Sequence, residues 1–218
     1  VTPVQTVSDV LDLPTWRGRA HAVCFFASVP AGLALILVAS SATARVAASI
    51  YAATLLAVFG TSAAYHRLAR TPRARAIMQR LDHSMIYLLI AGTYVPVCLL
   101  ALPPEWGIPL LTVVGVGAAA GVVLKLLAFH KVRWLGFALY PILGWAAVAA
   151  TPVLANHLST TQLLLIVAGG ISYTVGFPVL LTKWPDPWPK VFGYHEVWHG
   201  FTVIAAVLHF SAVATLVA

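Results

Sequence analysis

The most constraining feature of this chain is a run of 49 residues, Trp134 to Thr182, that contains no Asp, Glu, Lys or Arg. A run of that length cannot coat a water-facing surface. It is also too long for one membrane crossing, because about 20 apolar residues already span a hydrocarbon core of roughly 30 Å. The polar stretch Asn156-His157-Leu158-Ser159-Thr160-Thr161 divides it into two helices. The rest of the chain follows suit: 61% of the 218 residues are hydrophobic and 9% are charged. Soluble domains carry about 25% charged residues, so both a soluble globular fold and a disordered chain are excluded.

Counting the remaining uncharged runs gives seven spans, at about 21–42, 46–68, 82–102, 107–129, 134–154, 161–182 and 194–217. The expected fold is an all-α seven-transmembrane helix bundle over 21–217, preceded by a cytoplasmic N-terminal segment over 1–20 that can form a short interfacial piece. Pro30, Gly92, Pro96, Pro141 and Pro178 fall inside spans, where membrane helices tolerate them. Lys125 lies near the end of span four and is expected to snorkel to the interface. Cys24 and Cys98 sit in apolar runs, which rules out a disulfide scaffold. Small residues in span four (Gly115, Gly117, Ala118, Gly121) and span six (Gly169, Gly170) allow close helix packing, within one chain or between chains. The oligomeric state is left open.

The net charge of +7 would suggest nucleic acid in a soluble protein. Here it has a different origin. In a seven-span arrangement, Arg17, Arg19, Arg67, Arg70, Arg73, Arg75, Arg80, Lys125, Lys131, Arg133, Lys183 and Lys190 all fall on one side, and only Arg45 falls on the other. This asymmetry predicts a cytoplasmic N-terminus and an external C-terminus. Membrane and lipid are the expected partners, nucleic acid is not, and the Arg-rich connection 67–80 is suited to touching anionic lipid.

Ionisable groups inside a span need a reason. Span two ends in Ser62-Ala63-Ala64-Tyr65-His66, span three begins at Asp82-His83, and span seven begins with His195-Glu196-Val197-Trp198-His199. His195 and His199 share one helix face, as do Ser62 and His66, because residues four apart lie one above the other. The topology brings His66, Asp82, His195 and His199 to one depth in the inner leaflet. Three imidazoles and a carboxylate at one level are the makeup of an open zinc site, and His favours Zn²⁺ over Mg²⁺ or Ca²⁺. His21, His83, His130 and His157 read as packing residues, and so does His209, ten residues past His199. The His195–His199 stretch also matches the zinc-peptidase pattern H-E-x-x-H. No acidic residue follows His199, which leaves His209 as the only downstream candidate for the third ligand such peptidases commonly use, with His66 and Asp82 on other helices, so a peptidase is poorly supported. Glu196 is then expected either to cap its helix or to pair with an Arg of the 67–80 connection.

These motifs, with their flanks Ser62-Ala63-Ala64-Tyr65-His66-Arg67, Leu81-Asp82-His83-Ser84-Met85-Ile86-Tyr87, Ile90-Ala91-Gly92-Thr93-Tyr94-Val95-Pro96 and Tyr194-His195-Glu196-Val197-Trp198-His199, resemble the haemolysin III branch of the PAQR (progestin and adipoQ receptor) family. The resemblance covers about 20–217, with all seven spans in order. It implies seven helices with a cytoplasmic N-terminus and a zinc ion on His66, His195 and His199. Asp82 would hold the water at the metal, with Ser62 close by. In the adiponectin-receptor branch the implied chemistry is hydrolysis of a ceramide amide. That branch can have Gln at the position of Glu196, so Glu196 is not the expected base.

The expectation is therefore a zinc-dependent hydrolase of a lipid amide or ester in the bacterial inner membrane. Asp82 serves as general base and Ser62 orients the water or donates to the developing oxyanion. The alternatives are a membrane sensor or receptor with a structural zinc, and a lytic pore. Fully apolar spans offer no evident lumen for the pore.

Overall fold

A computed structural model describes residues 13–131 and 133–218. Asp9, Asp12 and the rest of the first twelve residues of the expected N-terminal segment lie outside the described residues. The described chain is all helical apart from turns and one isolated bridge, between Trp188 and Phe192. Seven helical stretches are long and apolar enough to cross a membrane.

Helix α1 is Arg19–Leu37, α2 is Ala42–Leu68 and α3 is Pro72–Pro96, continued by a wider π-type turn over Val97–Ala101. Helix α4 is Pro104–Leu127. The fifth span is α5 (Arg133–Gly144), a 3-10 segment (Ala146–Ala150) and α6 (Thr151–His157). Helices α7 (Thr160–Thr182) and α8 (Tyr194–Val217) complete the bundle.

Local chemistry sets the boundaries. Ser41 Oγ accepts from the Ala44 N–H at the start of α2 (3.1 Å). Ser159 and Gln162 form a reciprocal capping box on α7. Thr71 caps α3, with Pro72 in the first turn, where its missing N–H costs nothing. This cap corrects two expectations. The third helix begins ten residues before Asp82, so most of the Arg-rich segment 67–80 is helix rather than connection, and Asp82 lies nearly three turns inside α3. The first span ends at Leu37, not at 42, because Ser40 and Ser41 turn the chain.

The fifth span also departs from the single helix expected over 134–154. Pro141 and Pro152 each remove a backbone donor, and the helix breaks between them. In hydrocarbon the freed groups need partners. Tyr94 of α3 supplies them: its hydroxyl donates toward the Leu143 and Gly144 carbonyls (3.0 Å each) and accepts from the Ala147 N–H (2.9 Å).

Lys125 does not snorkel. It is 2% exposed, with Nζ turned inward, 4.1 Å from the Phe137 ring centroid and 5.2 Å from that of Tyr140. Close packing by small residues is seen within the chain. Any Cβ added at Gly121 would strike the Tyr87 ring, and one at Gly169 would strike His209.

The apolar residues of α1, α2 and α8 meet in one cluster around Tyr51, Leu55, Phe59, Ala206 and Val213. Phe26, Leu33 and Leu37 of α1 remain exposed and face outward as lipid-facing residues do. Exposed Trp16, Trp134, Trp184 and Trp188 gather at the end of the bundle that carries the basic residues, as interfacial aromatic residues do.

Removing the Tyr94 hydroxyl should expose the cost of the broken span. Tyr94→Phe leaves the Ala147 N–H and two carbonyls short of a partner and is expected to destabilise by about 2 kcal/mol. Tyr87→Phe removes a hydroxyl that among the described residues bonds one group, the Gly136 carbonyl, and it should cost less. Thermal unfolding of both variants in detergent checks the order.

Candidate metal centre

Helix α2 delivers His66 in its last turn, and α8 delivers His195 and His199 in its first two. One ligand atom from each of the three imidazoles lies within 4.8 Å of the other two. The His66 and His195 Nε2 atoms face each other at 3.0 Å. Tetrahedral zinc with bonds near 2.05 Å sets its nitrogens roughly 3.3 Å apart, so the donor set fits with small adjustments. His66 and His199 are buried, at 8% and 4% exposure, and His195 is partly buried.

Asp82 does not join this cluster. Its side chain is 13% exposed and lies near the Ser62 side chain, and Ser62 lies one turn before His66 on α2. The two residues expected to act in catalysis are thus neighbours, one turn along α2 from His66. His83 turns elsewhere. Its Nδ1 bonds the Gln79 carbonyl (2.9 Å), and its ring packs edge-on to Phe129 and Phe137.

The first turn of α8 is held by two carboxylates. Asp186 accepts from the Tyr194 N–H (2.8 Å), and Glu196 accepts from the Gly193 N–H (2.9 Å). Both meet the positive end of the helix dipole. Glu196 is therefore a cap, one of the two roles expected of it. The other expectation is corrected: its ion-pair partner is Arg17, not an Arg of 67–80, with Nε 2.6 Å from Oε1. That approach is a charge contact off the hydrogen-bonding line, and neither atom has a hydrogen-bond partner. With both oxygens engaged, Glu196 is not presented to the histidines as a peptidase base.

Arg17 reaches Glu196 because the chain before α1 is strapped to the loop before α8. Thr15 N–H donates to the Lys190 carbonyl and Trp16 N–H to the Val191 carbonyl, both at 3.0 Å. The strap ends at Gly18, whose φ of 72° is the left-handed region that favours glycine. A Cβ there would stand 2.6 Å from the His66 Cβ.

His21 is closer to the centre than the sequence suggested. Its ring stacks on His199 at 3.7 Å between centroids and 6° between planes. Thr202 Oγ1 spends its proton on the His199 carbonyl (2.8 Å), so it accepts from His21 Nε2–H (3.1 Å). That leaves Nδ1 of His21 as a buried lone pair without a partner. The clue in the sequence was depth: His21 opens span one on the side where span seven also begins. His209 instead bonds the Ile166 carbonyl of α7 (3.1 Å), and His157 bonds back to Val153 in its own helix (2.9 Å). Neither approaches the cluster.

A cavity of about 530 Å³ opens beside His66 and is walled by the strap, the end of α2 and the start of α3. On the other side, a narrower groove of about 160 Å³ runs between α1, α2 and α8, lined by Cys24, Leu55, Phe59, Val203 and Phe210 among others. Phe59 packs on His21 at 5.1 Å, so this apolar groove begins next to the stacked pair.

Two outcomes follow from the strap and the cap. Gly18→Ala should cost about 1–2 kcal/mol for the left-handed backbone alone, plus displacement of His66. Gly115→Ala, with nothing within 4 Å of its added carbon, is the neutral control in the same unfolding measurement. Glu196→Gln keeps an acceptor for Gly193 but strands Arg17, while Glu196→Ala loses both. The melting temperature should fall in that order, and breaking a buried ion pair sets the scale at about 3 kcal/mol.

The profile of the haemolysin-III related family matches residues 11–210. Hemolysin-3 of Bacillus cereus is 32% identical over 196 residues, covering 88% of this chain and 86% of the relative. The Hemolysin-3 homolog of Bacillus subtilis (strain 168) is 31% identical over 186 residues, covering 84% of each chain. With seven membrane-length helices as well, the chain belongs to the haemolysin III family and is a multi-pass membrane protein.

Proposed function

We propose that this protein is a zinc-dependent hydrolase of a lipid amide or ester, with its site in the cytoplasmic leaflet of the cell membrane. One observation carries the reading: of three clustered imidazoles, His66 lines an open cavity, while His199 stacks on His21, which packs on Phe59 in the wall of an apolar groove. A structural zinc would need no such access. The apolar groove next to His21 and His199 suits an acyl chain entering from the bilayer. The 12-to-1 distribution of Lys and Arg supports the cytoplasmic orientation of this end.

His66, His195 and His199 would hold the metal as neutral imidazoles. Zinc bound there would supply Lewis acidity and a water acidified toward neutral pH. Asp82 takes the proton of the attacking water as general base. The water oxygen adds to the lipid carbonyl, the C–N or C–O bond breaks, and the proton held by Asp82 passes to the departing amine or alkoxide. Ser62 fixes the Asp82 carboxylate through its hydroxyl, or turns the same proton to the oxyanion that develops on the carbonyl. His21, stacked on His199, keeps that ring from rotating out of the cluster.

Elemental analysis of protein purified in mild detergent without chelator is the first test. About one zinc per chain is expected in the wild type, and little in His195→Ala. Metal-free but well-folded wild-type protein would remove the hydrolase reading and move the sensor and pore readings ahead. Asp82→Asn should retain its zinc and lose roughly 100- to 10,000-fold in turnover of a lipid amide or ester. Full activity in that variant would dismiss Asp82 as the base.

A further inference from the structure

The two ring nitrogens of His21 are treated differently by their surroundings. The residue is 5% exposed. Its Nε2–H is spent on Thr202 Oγ1, which fixes the tautomer and leaves Nδ1 as a bare lone pair. That lone pair is buried and has no hydrogen-bond partner among the described residues. His83, His157 and His209 each bond a backbone carbonyl instead. A buried acceptor left open is costly and calls for an explanation.

Its surroundings narrow what can fill it. The His199 ring covers one face of His21 at 3.7 Å, and Phe59 packs against the ring in a T-shaped contact. Gly18, one turn before His21, presses against the His66 side chain. The ring lies close enough to His66, His195 and His199 to interact electrostatically with each. Yet His21 is not one of the three histidines whose ligand atoms gather within 4.8 Å. A ring stacked on one ligand but outside the ligand set is placed to hold what the metal holds, rather than the metal itself. Only a hydrogen-bond donor satisfies a lone pair. An ester group and an acyl chain have none to give, whereas a water has two.

We propose that His21 Nδ1 accepts a hydrogen bond from the water at this centre, as the second acceptor that orients it. This rests on the reading of the three histidines as a metal site. In the hydrolysis proposed above, Asp82 takes one proton of that water. The other O–H is directed to His21, so both hydrogens are held and the oxygen lone pair is free to meet the lipid carbonyl. The Thr202 contact matters here because it keeps the proton on Nε2 and the acceptor on Nδ1.

The test reads the water rather than turnover. The full chain is loaded with Co²⁺ in place of zinc, and azide binding is followed by the visible spectrum of the cobalt. Azide displaces the water but has no proton to offer His21, so in the wild type it binds at the expense of that hydrogen bond. His21→Phe keeps a ring on His199 and removes the acceptor. Azide should bind it roughly three- to tenfold more tightly than the wild type. His21→Asn, whose amide oxygen can stand where Nδ1 stands, should return the affinity toward the wild-type value. Equal azide affinity in the wild type and His21→Phe would overturn the assignment. So would His21→Asn behaving as His21→Phe does, because the ring and not its lone pair would then be the cause. If His21→Phe does not fold, Thr202→Val decides. It leaves His21 in place, frees the proton to move to Nδ1 and should also tighten azide, and unchanged binding there overturns the proposal. Folded wild type that takes up no cobalt fails the metal reading, and this one with it, before azide is added. The expected azide pattern in protein that turns over no lipid amide or ester would fail the hydrolase reading alone.

Discussion

A bilayer interior offers no hydrogen-bond partner, so polar atoms within the spans must find partners in the chain itself, and among the described residues most do, the buried Tyr51 hydroxyl being an exception. The arrangement of the bundle follows from that demand. Tyr94 repairs the broken fifth span, and the Tyr140 hydroxyl reaches the His83 carbonyl (2.8 Å). Ser28, Ser84 and Thr93 return their protons to carbonyls in their own helices. Lys125, which has no carboxylate within ion-pair distance among the described residues, is surrounded by aromatic rings. Against that background the polar groups near His66, His195 and His199 stand apart. They face one another rather than backbone carbonyls, and one lone pair, on His21, has no partner.

The centre depends on how firmly the start of α8 is fixed. Two histidines project from its first two turns, where helices fray most readily. Asp186 and Glu196 cap that turn, Arg17 neutralises the buried Glu196, and the strap through Thr15 and Trp16 ties Arg17 in place. Each link is modest alone. A cap is worth about 1 kcal/mol. Together they anchor the imidazoles through a chain of contacts running from the first helix to the last.

Much of this was legible in the sequence. The number of spans follows from uncharged run lengths, and the convergence of His66, His195 and His199 follows from span parity, since the last turn of α2 and the first turns of α8 lie on the same side of the bundle. What escaped were features that depend on contacts between distant segments. The early start of α3 was hidden because Arg73, Arg75 and Arg80 make its first turns too charged to read as membrane, although Thr71-Pro72 is a recognisable helix start. Lys125 was expected at the interface because nothing local reveals the ring cage that Phe129, Phe137 and Tyr140 build around it. Arg17 as the partner of Glu196, and Gly18 against His66, depend on a strap joining residues more than 170 positions apart.

That strap bears on how the molecule is made. Ribosomal synthesis delivers α1 and α2 to the membrane first and α8 last. Until the seventh span arrives, His66 has neither of its two partner imidazoles, and Arg17 has no Glu196. The three-histidine cluster can therefore form only when the chain is complete through the start of α8. A chain truncated before residue 195 carries one histidine of the three, an unpaired arginine beside it and no way to close the centre. A metal held by all three histidines would then report that all seven spans have inserted and that the first and last have met.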